Sequence, residues 1–260
     1  MTKTFEALEQ AEKERERVES GIQLRKGPGP LVETTAMVPS LMKTETIRAL
    51  PERDLEDAMA LLHQNIALHV SEGVGQVIQF VGTRRDEGTS VLVREYAKFS
   101  AFRLEKTVLL LDANRTEPCQ LRFFNVEPSS GWEDCILKGT LITDTIHRIG
   151  EEHLFAGQLS TSPARSAQLS DMPKIGEFFE RLRLQFDLVL IDSPVVTASP
   201  EALSMARKAD GVVLVVDAEQ TRKQVTKRVR DRIVEHGGKV LGVILNKRKY
   251  PIPSFLYKFL

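Results

Sequence analysis

The sequence predicts an α/β fold in which a mostly parallel sheet is sandwiched between helices. Strand-length apolar runs alternate with helical segments from residue 77 to residue 246, and this alternation is typical of parallel sheets whose connections are helices. The runs are continuously apolar rather than alternating, as strands buried on both faces are. A chain of 260 residues is long enough for one such domain and an additional arm.

Three regions follow one another along the chain. A charged helical pattern followed by a Gly- and Pro-rich linker predicts a helical N-terminal arm and flexible linker over residues 1–50. The alternating segments define a folded domain over residues 51–248, and residues 249–260 form an apolar tail that contains Tyr250 and Tyr257. We expect this tail to dock on a partner or on the domain itself, with a short basic and aromatic membrane contact as the alternative.

The folded domain begins with an amphipathic helix over residues 52–70. Its apolar positions recur at helical spacing and are expected to face the rest of the domain. These positions are Leu55, Met59, Leu62, Ile66 and Leu68. The strands are predicted within residues 77–81, 107–113, 154–159, 186–194, 211–218 and 239–246. The intervening helices are predicted at residues 90–104, 173–185, 200–208 and 221–236.

The composition excludes several classes of protein. The chain has 36 Lys plus Arg and 36 Asp plus Glu residues, so no bulk charge favours nucleic acid as a partner. Cys119 and Cys135 are the two cysteines, too few for a disulfide framework, which is typical of a reducing compartment. The longest apolar runs are strand-sized and the N-terminus is polar, so we predict neither a membrane span nor a signal peptide. We therefore expect a cytoplasmic protein that does not bind nucleic acid.

The loop after the first strand is the most informative segment. A phosphate-binding P-loop reads G-x-x-x-x-G-K-[ST]; its backbone N–H groups hold phosphates, its Lys reaches the β- and γ-phosphates, and its hydroxyl holds Mg²⁺. Here the loop ends in Gly88, Thr89 and Ser90, so Thr89 stands at the lysine position. Counting back places Thr83 where the first Gly belongs, with Gly82 one residue earlier. The loop therefore has half of the motif.

Polar side chains also follow three of the predicted strands. Asp112, Asp192 and Asn246 end their strands, and because parallel strands end at one edge of a sheet, all three should project into a crevice beside Ser90. Asp192 fits a Walker B carboxylate, which positions Mg²⁺ and its water. An Asp is also a common turn former, and that explanation suffices for any single one.

The candidate residues divide into two groups. The candidate Mg²⁺ ligands are Ser90, Asp112 and Asp192, and the two aspartates are also the candidate catalytic residues. The candidate nucleotide-binding residues are Thr83, Arg84, Arg85, Asp86, Glu87, Gly88, Thr89, Ser90 and Asn246.

These segments resemble the bacterial tyrosine kinases of exopolysaccharide and capsule synthesis, which are related to the MinD and ParA ATPases. The similarity is carried by the loop ending DEGTS, by LLLDANRTEP against a family pattern near LLIDADLRRP, by FDLVLIDSP, and by DGVVLVVDAEQTRKQ followed by VLGVILN. GWEDCILKGT is similar to the family segment GLxDxLxG, and TFEALEQAEKERER is similar to an arm that such proteins often carry.

The resemblance implies several further properties. It implies a P-loop NTPase fold of the MinD and ParA type, with Mg-ATP or Mg-ADP as the ligand. It also implies, as partner, the cytoplasmic region of a membrane polysaccharide co-polymerase or chain-length protein, which would recruit the chain to the inner membrane. Homo-oligomers form in the family through a helix motif near E-x-Y-R-x-L-R-T-N-I, which here reads DAMALLHQNI, so that Ala60 and His63 replace both arginines.

The departures from the family pattern are at positions with chemical roles in the family. Where the family loop reads P-G-x-G-K-[ST], this chain has Arg85 for Pro, Asp86 for Gly and Thr89 for Lys. Loss of such an electrostatic contact costs about 3 kcal/mol of transition-state stabilisation, judged from oxyanion-hole deletions. Asn114 replaces the second Asp of D-x-D, and the family's C-terminal tyrosine cluster is reduced to two isolated tyrosines. Arg84 stands where MinD and ParA relatives have a second lysine; it is either a phosphate clamp or an exposed loop arginine.

The preferred hypothesis is a catalytically impaired, kinase-like P-loop protein that regulates exopolysaccharide biosynthesis or export. One alternative is an active ATP-dependent tyrosine autokinase or ATPase of the same pathway, with Ser90, Asp112 and Asp192 on Mg²⁺ and Arg84 on phosphate. The second alternative is a positioning ATPase similar to MinD and ParA, which would dimerise on ATP and bind a membrane or a DNA adaptor.

Overall fold

The computed structural model describes residues 52–70, 75–128, 130–150, 153–162, 174–196 and 199–247. The predicted N-terminal arm and the C-terminal tail with its two tyrosines lie outside these residues. Within the described part of the chain, no helix combines the length and the apolar character that crossing a membrane requires.

Seven strands form a single sheet. They are β1 (Gln76–Gly82), β2 (Val108–Asp112), β3 (Ile146–Ile149), β4 (Leu154–Gln158), β5 (Leu188–Ser193), β6 (Gly211–Asp217) and β7 (Val240–Asn246). Their order is β3-β4-β2-β5-β1-β6-β7. Every neighbouring pair is parallel except β3 and β4, which are antiparallel. The predicted α/β class and mostly parallel sheet are therefore confirmed.

Seven α-helices are described around this sheet. They are α1 (Glu52–Ala67), α2 (Thr89–Phe102), α3 (Gln120–Phe123), α4 (Asp134–Leu137), α5 (Lys174–Arg183), α6 (Pro200–Ala206) and α7 (Lys223–Glu235). The sequence did not predict α3, α4 or the edge strand β3. The two helices have four residues each, which is too short for a helical period to show, and β3 is only partly buried.

The core occupies both faces of the sheet. On β1, Ile78 and Phe80 pack in one apolar cluster with residues of α1 and α2. The neighbouring Val77 packs on the other face with residues of α5, and Val81 packs there with residues of α6 and α7. Since successive side chains of a strand point to opposite faces, burial of both faces explains why these strands are continuously apolar.

Helix α1 packs against the domain largely as predicted. Met59, Leu62 and Ile66 are buried, and Leu55 packs partly buried against the same cluster. The prediction for Leu68 is wrong: its side chain is 78% exposed. The helix ends at Ala67, so Leu68 lies in the following turn and no longer follows the helical spacing.

Candidate functional site

The loop between β1 and α2 is tight, and two glycines allow it. A Cβ atom on Gly82 would lie 3.0 Å from both the Arg84 carbonyl oxygen and Thr89 Oγ1. Gly88 has φ of +84°, and Asp86 also has a positive φ, of 64°. Thr83 has no positive φ, which explains why a β-branched residue is tolerated where a P-loop has its first glycine.

Glu87 connects the loop to the segment after β6 through hydrogen bonds. Its buried carboxylate accepts hydrogen bonds from the backbone N–H groups of Thr83 at 2.5 Å and Arg84 at 2.8 Å. It also accepts from Thr83 Oγ1 at 2.8 Å and from Thr221 Oγ1 at 2.5 Å. Neutral donors therefore hold this carboxylate inside the loop, and it has a structural role there.

Two residues at the end of β7 also contact the loop. Asn246 Nδ2 donates to the Glu87 carbonyl oxygen at 2.8 Å, so the predicted approach of Asn246 to the loop is seen. Lys247 Nζ donates to the Asp86 carbonyl oxygen and lies 3.8 Å from Asp217 Oδ2. A lysine thus reaches the loop from β7. No sequence motif links this lysine to the loop, because the two are 161 residues apart in the chain.

The two loop arginines point to neighbouring loops. Arg84 Nη1 donates to the Gln220 carbonyl oxygen at 3.3 Å. Arg85 forms an ion pair with Glu117 at 3.3 Å, in which both side chains are about two-thirds exposed, at 68% and 67%. The hydroxyl of Thr89 faces Gly82. Both loop arginines and the Thr89 hydroxyl therefore contact other parts of the protein.

The carboxylate of Asp112 is held by the backbone that follows it. Asp112 Oδ1 accepts from the Asn114 N–H at 2.9 Å, and Oδ2 accepts from the N–H groups of Cys119 at 2.8 Å and Gln120 at 3.0 Å. Asn114 in turn caps a turn, since its Oδ1 accepts from the Glu117 N–H at 3.2 Å. These bonds position the whole loop after β2.

Asp192 lies beside Asp112, because β2 and β5 are neighbours with these two residues in register. Its Oδ2 accepts from Gln120 Nε2 at 2.6 Å, and the same nitrogen donates to the Ser90 carbonyl oxygen at 3.0 Å. The predicted Mg²⁺ ligands Ser90, Asp112 and Asp192 are thus brought together. The two aspartates therefore lie next to each other, beside Ser90.

Burial dominates the electrostatics of this pair. It raises the pKa of Asp112 against the opposing effect of the backbone hydrogen bonds. Burial and the neighbouring Asp112 charge together raise the pKa of Asp192 to about 7. Burial and the two aspartates also raise the pKa of Cys119 to about 11, so this thiol stays protonated at neutral pH.

One group in the described part of the chain has the spacing of a cation site. Potential ligand atoms of Asp112, Cys119 and Asp192 all lie within 4.8 Å of one another. Mg²⁺ prefers oxygen ligands in octahedral geometry, and here one of the three is a protonated thiol. In addition, the amide nitrogen of Gln120 lies directly on Asp192. The arrangement fits Mg²⁺ poorly.

A second buried charge cluster lies at the same edge of the sheet. Arg115 donates to Glu133 Oε1 at 3.0 Å and to Glu201 Oε1 at 3.1 Å, and to the Ser160 carbonyl oxygen at 2.5 Å. The Arg115 side chain is 8% exposed, and those of the glutamates 0% and 3%. The cluster ties the loop after β2 to the segments beside α4, β4 and α6. No sequence pattern predicted this cluster.

The chain is similar to one protein family and to several known proteins. Residues 76–234 match the family described as Cellulose biosynthesis protein BcsQ. The putative tyrosine-protein kinase CapB of Staphylococcus aureus is 27% identical over 209 residues, which are 80% of this chain and 91% of CapB. The succinoglycan biosynthesis transport protein ExoP of Rhizobium meliloti (strain 1021) is 28% identical over 180 residues, which are 66% of this chain but only 22% of ExoP.

Solved structures share the fold. The chimerical protein CapA2B2 superposes with a TM-score of 0.70 at 20% identity, covering 81% of this chain and 95% of the chimera. The kinase domain of Escherichia coli tyrosine kinase ETK gives a TM-score of 0.69 at 16% identity, covering 92% and 90%. MinD of Pyrococcus horikoshii OT3, complexed with Mg-ADP, gives 0.56 at 19% identity, covering 71% and 76%.

The chain belongs to the BcsQ family, because the match spans more than half of its length. Its homologues include bacterial tyrosine kinases, and MinD is a structural neighbour. The P-loop NTPase fold and the relationship predicted from the loop and the strand ends are confirmed.

Proposed function

We propose that this chain is a catalytically impaired, kinase-like P-loop protein that regulates exopolysaccharide biosynthesis or export together with a membrane co-polymerase. The pathway is supported by relatives described as tyrosine-protein kinases and as a succinoglycan biosynthesis transport protein. The partner would be the cytoplasmic region of a membrane polysaccharide co-polymerase, which would also bring the chain to the inner membrane.

One observation carries the proposal of impaired catalysis. The loop keeps the tight backbone of a phosphate loop, yet Thr89, at the lysine position, faces Gly82. Arg84 donates to Gln220, and Lys247 donates to a backbone carbonyl. Phosphoryl transfer depends on cations placed against the transferring group. The site has the shape of the family without that arrangement of charge.

A turnover assay tests this proposal. The purified full chain is incubated with Mg-ATP, and phosphate release and phosphotyrosine are measured by a coupled assay and by mass spectrometry. We expect neither to exceed the value of an Asp192→Asn variant. Turnover that the Asp192→Asn variant abolishes would establish the active autokinase or ATPase instead, using Ser90, Asp112 and Asp192.

A binding assay tests the partnership. The cytoplasmic region of a membrane polysaccharide co-polymerase from the same organism is titrated against the full chain by calorimetry, with and without nucleotide. We expect binding that does not require ATP, because the proposed role rests on protein contacts. Dimerisation driven by ATP, without binding to the co-polymerase, would favour the positioning ATPase.

A further inference from the structure

Two buried side chains lie against the carboxylate pair. Arg94 follows Ser90 by one turn of α2, on the same face of the helix. Gln120 begins α3. Arg94 is 6% exposed and Gln120 is fully buried. Burying a guanidinium and an amide is unfavourable unless both have partners, so their contacts show what they do here.

Arg94 fixes the orientation of the Gln120 amide. Arg94 Nη1 donates to Gln120 Oε1 at 3.2 Å. A guanidinium has only donors, so the amide oxygen must face it and the amide nitrogen must point away. Gln120 Nε2 accordingly donates to Asp192 Oδ2 at 2.6 Å and to the Ser90 carbonyl oxygen at 3.0 Å. The Phe123 ring, 3.6 Å from Arg94 Cζ, holds the guanidinium in place.

This orientation conflicts with a magnesium ion on Asp192. A cation needs ligands with lone pairs, and the amide nitrogen presents only hydrogens. The nitrogen donates to Asp192 Oδ2, so this oxygen already accepts a hydrogen bond from a group that cannot bind a cation. Asp112 already accepts three backbone hydrogen bonds. An ion bound to Asp192 Oδ2 would displace Gln120 from its hydrogen bonds to Arg94, Ser90 and Asp192.

The charges of the buried groups also argue against a magnesium ion at this site. Two carboxylates in a buried site are costly unless a positive charge compensates them. Arg94 supplies such a charge within the protein, and Gln120 connects it to Asp192 through one amide. We infer that Arg94 and Gln120 take the place of the magnesium ion, so that the carboxylate pair is a metal-independent site. This goes beyond the proposed function, which concerns ATP turnover and a partner.

The test is a titration of the full-length protein with Mg²⁺ alone, without nucleotide. Calorimetry and thermal unfolding are both recorded, with NaCl added to controls at equal ionic strength. For the native chain we expect no saturable heat and no change in Tm on adding Mg²⁺ or a chelator. Saturable Mg²⁺ binding by the native chain would overturn the inference.

Two variants should gain the saturable Mg²⁺ binding that we expect the native chain to lack. Gln120→Glu keeps the contact with Arg94 and replaces the amide donor by an oxygen ligand, so it should gain saturable Mg²⁺ binding. The Arg94→Met, Gln120→Leu double variant removes both groups at similar volume and should gain it too, and adding Asp192→Asn should abolish the gain. Gln185→Leu, at an exposed glutamine, is the matched control and should gain nothing.

The outcomes separate this inference from the proposed function. If the folded variants do not bind Mg²⁺ better than the native chain, Arg94 and Gln120 do not replace the ion. Mg²⁺ binding by the native chain without ATP turnover overturns only the metal-independent site. ATP turnover that depends on Mg²⁺ overturns both.

Discussion

Two buried arginines at the same edge of the sheet each face a pair of carboxylates, in different ways. Arg115 contacts Glu133 and Glu201 directly, at 3.0 and 3.1 Å. Arg94 instead reaches its carboxylate pair through the amide of Gln120. The first is a closed ion cluster, whereas the second has an amide between the cation and the anions.

The difference shows which cluster is structural. The Arg115 cluster joins segments from four parts of the chain, so we expect it to stabilise the fold. The second cluster contains Asp192, the proposed Walker B carboxylate, and burial raises the pKa of both of its aspartates. By our inference, this region supplies the counter-charge to its two aspartates from within the protein.

The largest effect should come from the direct cluster. Arg115→Met removes the guanidinium that contacts two buried glutamates, and breaking a buried ion pair in this way costs about 3 to 5 kcal/mol of unfolding free energy. Urea unfolding followed by circular dichroism measures the loss. Arg85→Met, at an exposed arginine, is the control and should change stability little. A loss below about 1 kcal/mol for Arg115→Met would show that the cluster does not hold the fold.

The second effect is a pH dependence from Asp192. Its pKa in the folded chain is about 7, raised by burial and by Asp112, whereas an unfolded Asp titrates near 4. Between these values the folded state binds a proton that the unfolded state has lost, so the free energy of unfolding should fall as pH rises from about 4 to about 7.

Denaturant unfolding across this pH range measures that slope. Asp192→Asn should flatten it, while Asp54→Asn, at an exposed aspartate, should leave it unchanged. A native profile that rises with pH in this interval, or one that Asp192→Asn leaves intact, would contradict the raised pKa.

The smallest effect should come from the exposed ion pair of Arg85 and Glu117. Exposed pairs contribute about 0 to 1 kcal/mol, so Glu117→Ala should change the free energy of unfolding by less than about 0.5 kcal/mol. The same urea experiment, repeated at high salt, measures it. A large loss that salt abolishes would mean that charges at the mouth of the loop matter more than burial suggests.

Much of the fold could be predicted because its signals are local. Each central strand is a continuous apolar run, and the turn to a polar residue at its end marks where Asp112 and Asp192 lie. Strand β3 was not predicted because an edge strand is only partly buried. Leu68 was wrongly predicted to face the domain because the apolar spacing continues past the end of α1.

The site was only half predictable, because its decisive contacts join distant positions. Gln120 and Arg94 are 26 residues apart and meet only in the fold. Lys247 reaches the loop across 161 residues. No sequence motif predicts either of these contacts. The loss of the loop lysine at Thr89, in contrast, could be seen from the motif alone.

The central claim is that the loop has lost nucleotide binding together with its lysine. Calorimetric titration with Mg-ADP and Mg-ATP tests this claim most directly. The native chain and Thr89→Lys are measured in parallel. We predict that the native chain binds neither nucleotide appreciably and that Thr89→Lys, which returns the missing cation to an intact loop, restores binding. Tight binding by the native chain that weakens in Asp192→Asn would contradict the account and show that the loop works without its lysine.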